Sequence, residues 1–177
     1  MRPTPPPDYL AGYPVHLVDS VRHAIAQGRL GGALLEKYPL THDIRTDRAL
    51  YDYVQAIRNR YLKTTAPVSK VAYDSKLQTL KKALGTHSTV GRIHGGRIKA
   101  KREIRVAGLF REMPDAFLRM IVVHELAHLR ESEHNRSFYQ LCLHMEPDYF
   151  QLEFDLRAYL SYLNAGGKAL WTLSPAA

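Results

Sequence analysis

His124, Glu125 and His128 stand in the run Ile121-Val122-Val123-His124-Glu125-Leu126-Ala127-His128-Leu129. In an α-helix, side chains four apart lie one above the other, so both imidazoles can reach one metal ion. The glutamate beside them is placed to act as general base for a water activated at that ion. The neighbours are Ile, Val, Leu and Ala on nearly every side, which predicts a helix buried almost all round. Unpaired histidines and a carboxylate would cost several kcal/mol there, at roughly 1–3 kcal/mol per unpaired polar group, and a bound cation offsets that cost. A third imidazole, His134, lies six residues beyond His128. In a continuous helix it would sit about 240° round and about 9 Å further along, so it can join the site only if the helix ends and the chain turns back. Three imidazoles on one zinc leave a fourth position open, the arrangement of a catalytic rather than a structural site.

The elements that must hold these residues come from a chain of 177 residues, enough for one domain with a real core. We expect an extended, Pro-rich segment at 1–13, a single α+β domain over 14–163 and a loose tail at 164–177 in which Trp171 could dock. Helical spacing is clear over 15–27, and again from Asp43 or Thr46 to about Leu62. Gly31-Gly32 and Tyr38-Pro39 read as a connecting loop between them. A strand is expected at 68–73, with Asp74-Ser75 turning into another from Lys76. Gly95-Gly96 marks a hairpin between 90–94 and 97–106. Met113-Pro114-Asp115 opens the metal helix, since a proline at the first turn loses no hydrogen bond. Two further helices follow, from about Asn135 to His144 and from Pro147 to about Leu163. The expected architecture is a small, mostly antiparallel sheet packed on the metal helix, with helices before and after. His16, His23 and His42 lack ligand spacing and read as surface or partly packed.

The net charge is +8, and it is not spread evenly. Eleven lysines and arginines fall between Lys70 and Arg111, against only Asp74 and Glu103, so this segment carries the whole excess. A basic surface beside a reaction centre favours an anionic ligand. Along 97–106 the charges alternate: Arg97, Lys99, Lys101, Glu103 and Arg105 share one face, Ile98, Ala100, Ile104 and Val106 the other, and Arg102 breaks the pattern. Arg97, Lys99 and Lys101 are therefore candidate substrate-binding residues, against the alternative of a solvated strand face. No apolar run is long enough to span a bilayer. The first residues lack the apolar core of a signal peptide, and Cys142 is the single cysteine, so a cytoplasmic protein is expected.

The spacing of the four site residues is also that of the metzincin proteases. Those proteins carry a glycine where this chain has Glu131, which disfavours that group. His-Glu-Leu-Ala-His-Leu, then Glu133-His134-Asn135, Ser137-Phe138 and Pro147-Asp148-Tyr149 resemble the bacterial YgjP-like family. The likeness extends over about Tyr9 to Tyr162, through Gly12-Tyr13-Pro14, Lys37-Tyr38-Pro39-Leu40-Thr41-His42-Asp43 and Ala83-Leu84-Gly85. It implies a compact zincin-like fold related to SprT-type peptidases, with a subgroup described as UTP pyrophosphatase the best match. It further implies His124, His128 and His134 as metal ligands and Glu125 as the acid/base. Two positions depart from the family's pattern: Leu84 stands where many members have Trp, and Glu133 where they have Asn. The second predicts a carboxylate able to accept an N–H from the third imidazole.

Three functions are thereby open. One is a nucleotide pyrophosphatase, acting on UTP, in which the basic segment neutralises phosphates. A second is a zinc metallopeptidase, with strand 97–106 pairing to an extended polypeptide and an oxyanion stabiliser among Tyr139, His144, Tyr149 and Arg92. The third is a nucleic-acid-associated protein with a structural metal, poorly supported because the basic segment has few aromatic side chains to stack on bases. One zinc per chain is the expected cofactor, another divalent metal the alternative.

Overall fold

The computed structural model describes residues 8–76, 86–94 and 97–172, the side chains of 86–94 and 97–101 excepted. Among them are six α-helices and one small sheet: α1 (Val15–Ala26), α2 (Leu30–Lys37), α3 (Asp47–Tyr61), β1 (Lys70–Asp74), β2 (Thr86–His94), β3 (Arg97–Ala107), α4 (Asp115–Ala127), α5 (Arg136–Met145) and α6 (Tyr149–Asn164). A 3-10 turn at Gly108–Glu112 delivers the chain from β3 to α4. The α+β class stands as expected.

The strand order is β1-β3-β2, with β3 in the middle. β3 pairs antiparallel with β2, as the Gly95-Gly96 signal predicts, but parallel with β1, from Lys70 opposite Glu103 to Asp74 opposite Ala107. The pair that backs the helices is thus parallel, which corrects the mostly antiparallel sheet. Strand alternation sets which face is buried but not a strand's partner or direction. The Asp74 carboxylate accepts the Lys76 N–H at 2.8 Å and an Arg105 N–H at 3.1 Å, tying the end of β1 to β3. The chain reaches the far edge of the sheet before returning to the centre. Whether a strand begins at Lys76 falls on residues 77–85, outside the described residues, as does the departure at Leu84.

α2 is a second correction. Gly31 was expected in a loop, yet a Cβ there would lie 3.2 Å from Leu170 Cδ2 and 3.4 Å from Tyr162 Oη. This glycine serves a close approach between helix and neighbours, not a turn. The end segments are also better packed than their composition implies. Residues 9–12 are turned rather than extended and bury Tyr9 and Leu10. Trp171 is buried against Phe117 and Tyr159 and donates its indole N–H to the Tyr38 carbonyl at 2.8 Å. His42, expected to be at the surface or partly packed, is buried, its Nδ1 accepting the Ile44 N–H and its Nε2 donating to the Phe110 carbonyl.

α4 is the centre of the core. From Met120 through Ala127 every residue is buried, and α3, β3, α5 and α6 all pack against the helix. Below it, Ile104 and Val106 of β3 are fully buried, while Arg105 on the opposite face is exposed. The position that breaks the strand's alternation has a clear reason. Arg102 lies on the inward face and donates from Nη1 to the Leu129 carbonyl at 3.1 Å, satisfying backbone at the end of α4.

Candidate metal centre

α4 ends at Ala127, the capping His128 keeps a right-handed helical backbone, and the next turns tighten: the Leu129 N–H bonds to the Leu126 carbonyl and the Arg130 N–H to the Ala127 carbonyl. No non-glycine residue among those described has a positive φ, so the reversal needs no left-handed backbone and Glu131 serves where metzincins carry glycine. Asn135 then caps α5, its Oδ1 accepting the Phe138 N–H at 2.9 Å. That cap fixes the chain immediately after His134.

The reversal brings the three imidazoles together. His124 Nε2 lies 3.3 Å from His128 Nε2 and 3.2 Å from His134 Nε2, and the last two are 3.1 Å apart. Phe138 lies against all three rings, with centroids 4.6–5.0 Å away. His124 is buried, His128 half-buried and His134 exposed, so the cluster opens to solvent on one side.

The ring tautomers follow from the other nitrogens. His128 Nδ1 lies 2.9 Å from the Glu131 carbonyl, which can only accept, so Nδ1 carries the hydrogen and Nε2 keeps its lone pair. His124 Nδ1 lies 2.7 Å from the Tyr149 hydroxyl. Among the described residues no hydrogen bond joins the Glu133 carboxylate to His134; the Glu133 backbone carbonyl accepts the Asn135 N–H.

Glu125 is 1% exposed, and its Oε2 has no hydrogen-bond partner among the described residues. Burial pushes its carboxyl up to about 8. His124 is pushed the other way, to about 3, by burial first and then by the neighbouring His128 and His134.

These residues fit a zinc ion. Two tetrahedral ligands at about 2.0–2.1 Å from zinc stand about 3.3–3.4 Å apart, close to the observed triangle of nitrogens. Three facing lone pairs and an unpartnered buried carboxylate would otherwise be a costly arrangement, and a divalent cation satisfies both.

The metal-free protein should carry a pH signature. Glu125 is raised in the folded state, so the folded chain holds an extra proton between about 4.5 and about 8. The stability from that carboxyl is full below about 4.5 and lost as pH rises towards 8. His124 is lowered, so its stability is present above about 6.5 and is lost as pH falls towards about 3. Metal-free Glu125→Gln removes only the first effect. Thermal melts should show it gaining on the metal-free parent chain between pH 5 and pH 9, by a few kcal/mol at the upper end. A gap that stays constant with pH would contradict the burial argument.

Of the oxyanion candidates, Tyr149 is fully buried with its hydroxyl committed to His124, and His144 packs edge-on against Tyr61. Tyr139 flanks His134 at 6.4 Å, ring to ring. The Arg92 side chain and those of Arg97, Lys99 and Lys101 lie outside the described residues. Their backbones belong to β2 and β3. Two neighbours of the site were not named from the sequence: Glu153 and Arg157, each one helical turn beyond the last from Tyr149. The sequence signal for them is charged residues at spacing four from Tyr149 on one face of the helix.

An H-E-x-x-H helix buried under a sheet, with a third histidine returned by a turn, defines a metal-dependent hydrolase. The comparisons agree: the family model described as YgjP-like, metallopeptidase domain matches residues 48–159, and the chain belongs to the YgjP-like family. It is 56% identical over 158 residues to the UTP pyrophosphatase of Escherichia coli (strain K12), covering 89% of this chain and 95% of that protein. No solved structure matches the chain. Among the described residues, no helix is long and apolar enough to cross a membrane.

Proposed function

We propose that this chain is a zinc-dependent nucleotide pyrophosphatase that releases pyrophosphate from UTP in the cytoplasm. The observation that carries this reading is its likeness to a UTP pyrophosphatase along nearly the whole length of both proteins. The basic segment from Lys70 to Arg111 supports it, because a triphosphate brings concentrated negative charge.

In this mechanism His124, His128 and His134 hold the metal. The chemistry that zinc supplies when bound is Lewis acidity at the reacting centre. Glu125 holds the attacking water and takes its proton, and the same carboxyl then returns the proton to the departing pyrophosphate. Its burial suits that work, since a carboxyl raised towards neutral pH can both accept and give a proton. Arg97, Lys99 and Lys101 are the proposed phosphate contacts. Glu125 is itself 1% exposed, which keeps bulk water from competing at its carboxyl.

The peptidase reading retains one specific support, the metallopeptidase description of the family model. A single screen separates the two. Zinc-loaded protein is incubated in parallel with UTP, other nucleoside triphosphates and an unfolded polypeptide. Pyrophosphate release from UTP is expected, with the polypeptide intact. Polypeptide cleavage without pyrophosphate release would overturn the proposal.

A further inference from the structure

The open side of the histidine cluster leads onto an aromatic surface. His134 is the exposed member of the three imidazoles. The Tyr139 ring, on α5, lies 6.4 Å from it between centroids and is tilted by 31°. Phe150, in the first turn of α6, lies 5.3 Å from Tyr139 at 36°. The rings thus form a chain from the cluster, His134 to Tyr139 to Phe150, carried by two helices and the turn before them.

Phe150 is 50% exposed. No other phenyl, phenol or indole ring among the described residues is exposed, and Tyr139 is itself only partly covered. An exposed phenyl forgoes the stabilisation that burial would bring. Here the ring is held in place from behind, with Tyr149 edge-on at 5.7 Å. Asp148 and Gln151, its exposed neighbours in the chain, carry no positive charge, so this end of the site suits a neutral planar group rather than a phosphate. Size narrows the occupant further. Two aromatic side chains bury about 150–250 Å² each when covered, well short of the roughly 800 Å² that one partner gives up in a stable protein interface. The surface fits a small ring.

We propose that Tyr139 and Phe150 form the platform on which the base of the nucleotide stacks while its phosphates lie at the histidine cluster. The inference rests on the nucleotide pyrophosphatase reading and deepens it. Pyrophosphate leaves UTP only if the bond between the α- and β-phosphates breaks, which puts the α-phosphorus at the cluster. The base is one sugar away from that phosphorus, and the two rings stand one and two ring-to-ring steps from His134, so a single ligand reaches both. Aromatic side chains hold a base through its π-face without needing a charge.

The test compares UMP with ribose 5-phosphate, which keeps the sugar and phosphate and lacks the base, by calorimetric titration of the zinc-loaded full chain. The parent should bind UMP more tightly. Phe150→Ala should weaken UMP by about 5–150-fold, the range for removing an aromatic ring from under a stacked base, and leave ribose 5-phosphate unchanged. Phe150→Tyr, which restores a ring, should recover the affinity, and Tyr139→Leu should act in the same direction as Phe150→Ala. In UTP turnover the loss should fall on KM with kcat held, the mark of binding shared by ground state and transition state. Because Phe150 is exposed, its variants should fold even if Tyr139→Leu does not. Equal weakening of UMP and ribose 5-phosphate would make the rings a support of the metal site and overturn the platform. Unchanged UMP affinity and KM in Phe150→Ala would overturn it too, and UTP turnover by the parent would leave the pyrophosphatase reading standing. A parent that neither binds UMP nor releases pyrophosphate from UTP would overturn both.

Discussion

Glu125→Gln should keep its zinc and lose turnover by about 10²–10⁴-fold, the usual worth of a positioned general base. The substitution preserves size and removes only the capacity to accept a proton. Glu125 is one residue from His124 on α4 and nearly sealed from solvent, so no bulk water can replace it. Its Oε2 has no hydrogen-bond partner among the described residues, so the exchange at that atom breaks none of theirs. Metal content by elemental analysis should match the parent. Normal turnover in this variant would remove Glu125 from the mechanism. A variant that lost zinc and activity together would make it a ligand rather than a base.

His128→Ala should lose both. The loss in zinc affinity should exceed the 10–100-fold expected for a residue that only orients a ligand. Stability reports the same event independently. A ligand present at 1,000 times its dissociation constant stabilises the folded state by about 4.1 kcal/mol. If affinity falls about 100-fold at the same zinc concentration, that gain drops to about 1.4 kcal/mol. Melting curves with and without zinc should therefore separate widely for the parent and little for the variant. Because His128 is only half-buried and its Nδ1 bonds to backbone, the metal-free variant should fold. Equal zinc-induced shifts in the two proteins would count against His128 as a ligand.

Much of the site was legible in the sequence because helical periodicity is a local property. Two histidines four apart must share a face once the segment is helical, and the apolar neighbours make that helix the core. The charge of residues 70–111 needs no fold to be seen. α1, α3 and the last three helices were legible for the same reason, each having its own apolar stripe. α2 was not, because Gly31 carries two meanings. A glycine for close packing against Tyr162 and Leu170 looks, in sequence, like a glycine for a turn. The parallel pairing of β1 was illegible because strand alternation names a face and never a partner or direction.

What the sequence by itself determined is the chemistry available: a pair of imidazoles with a carboxylate beside them, a third imidazole within reach, and an excess of positive charge. Tertiary structure decided which groups meet. It closed the triangle with His134 through a turn that needs no glycine, and it turned Arg102 inward onto the end of α4. It also placed Tyr149 behind His124, making a phenol that could have faced a substrate into a hydrogen-bond partner of that imidazole. The physical reason is the same in each case. Backbone and polar groups taken out of water must find partners, and those partners come from elements distant in the chain.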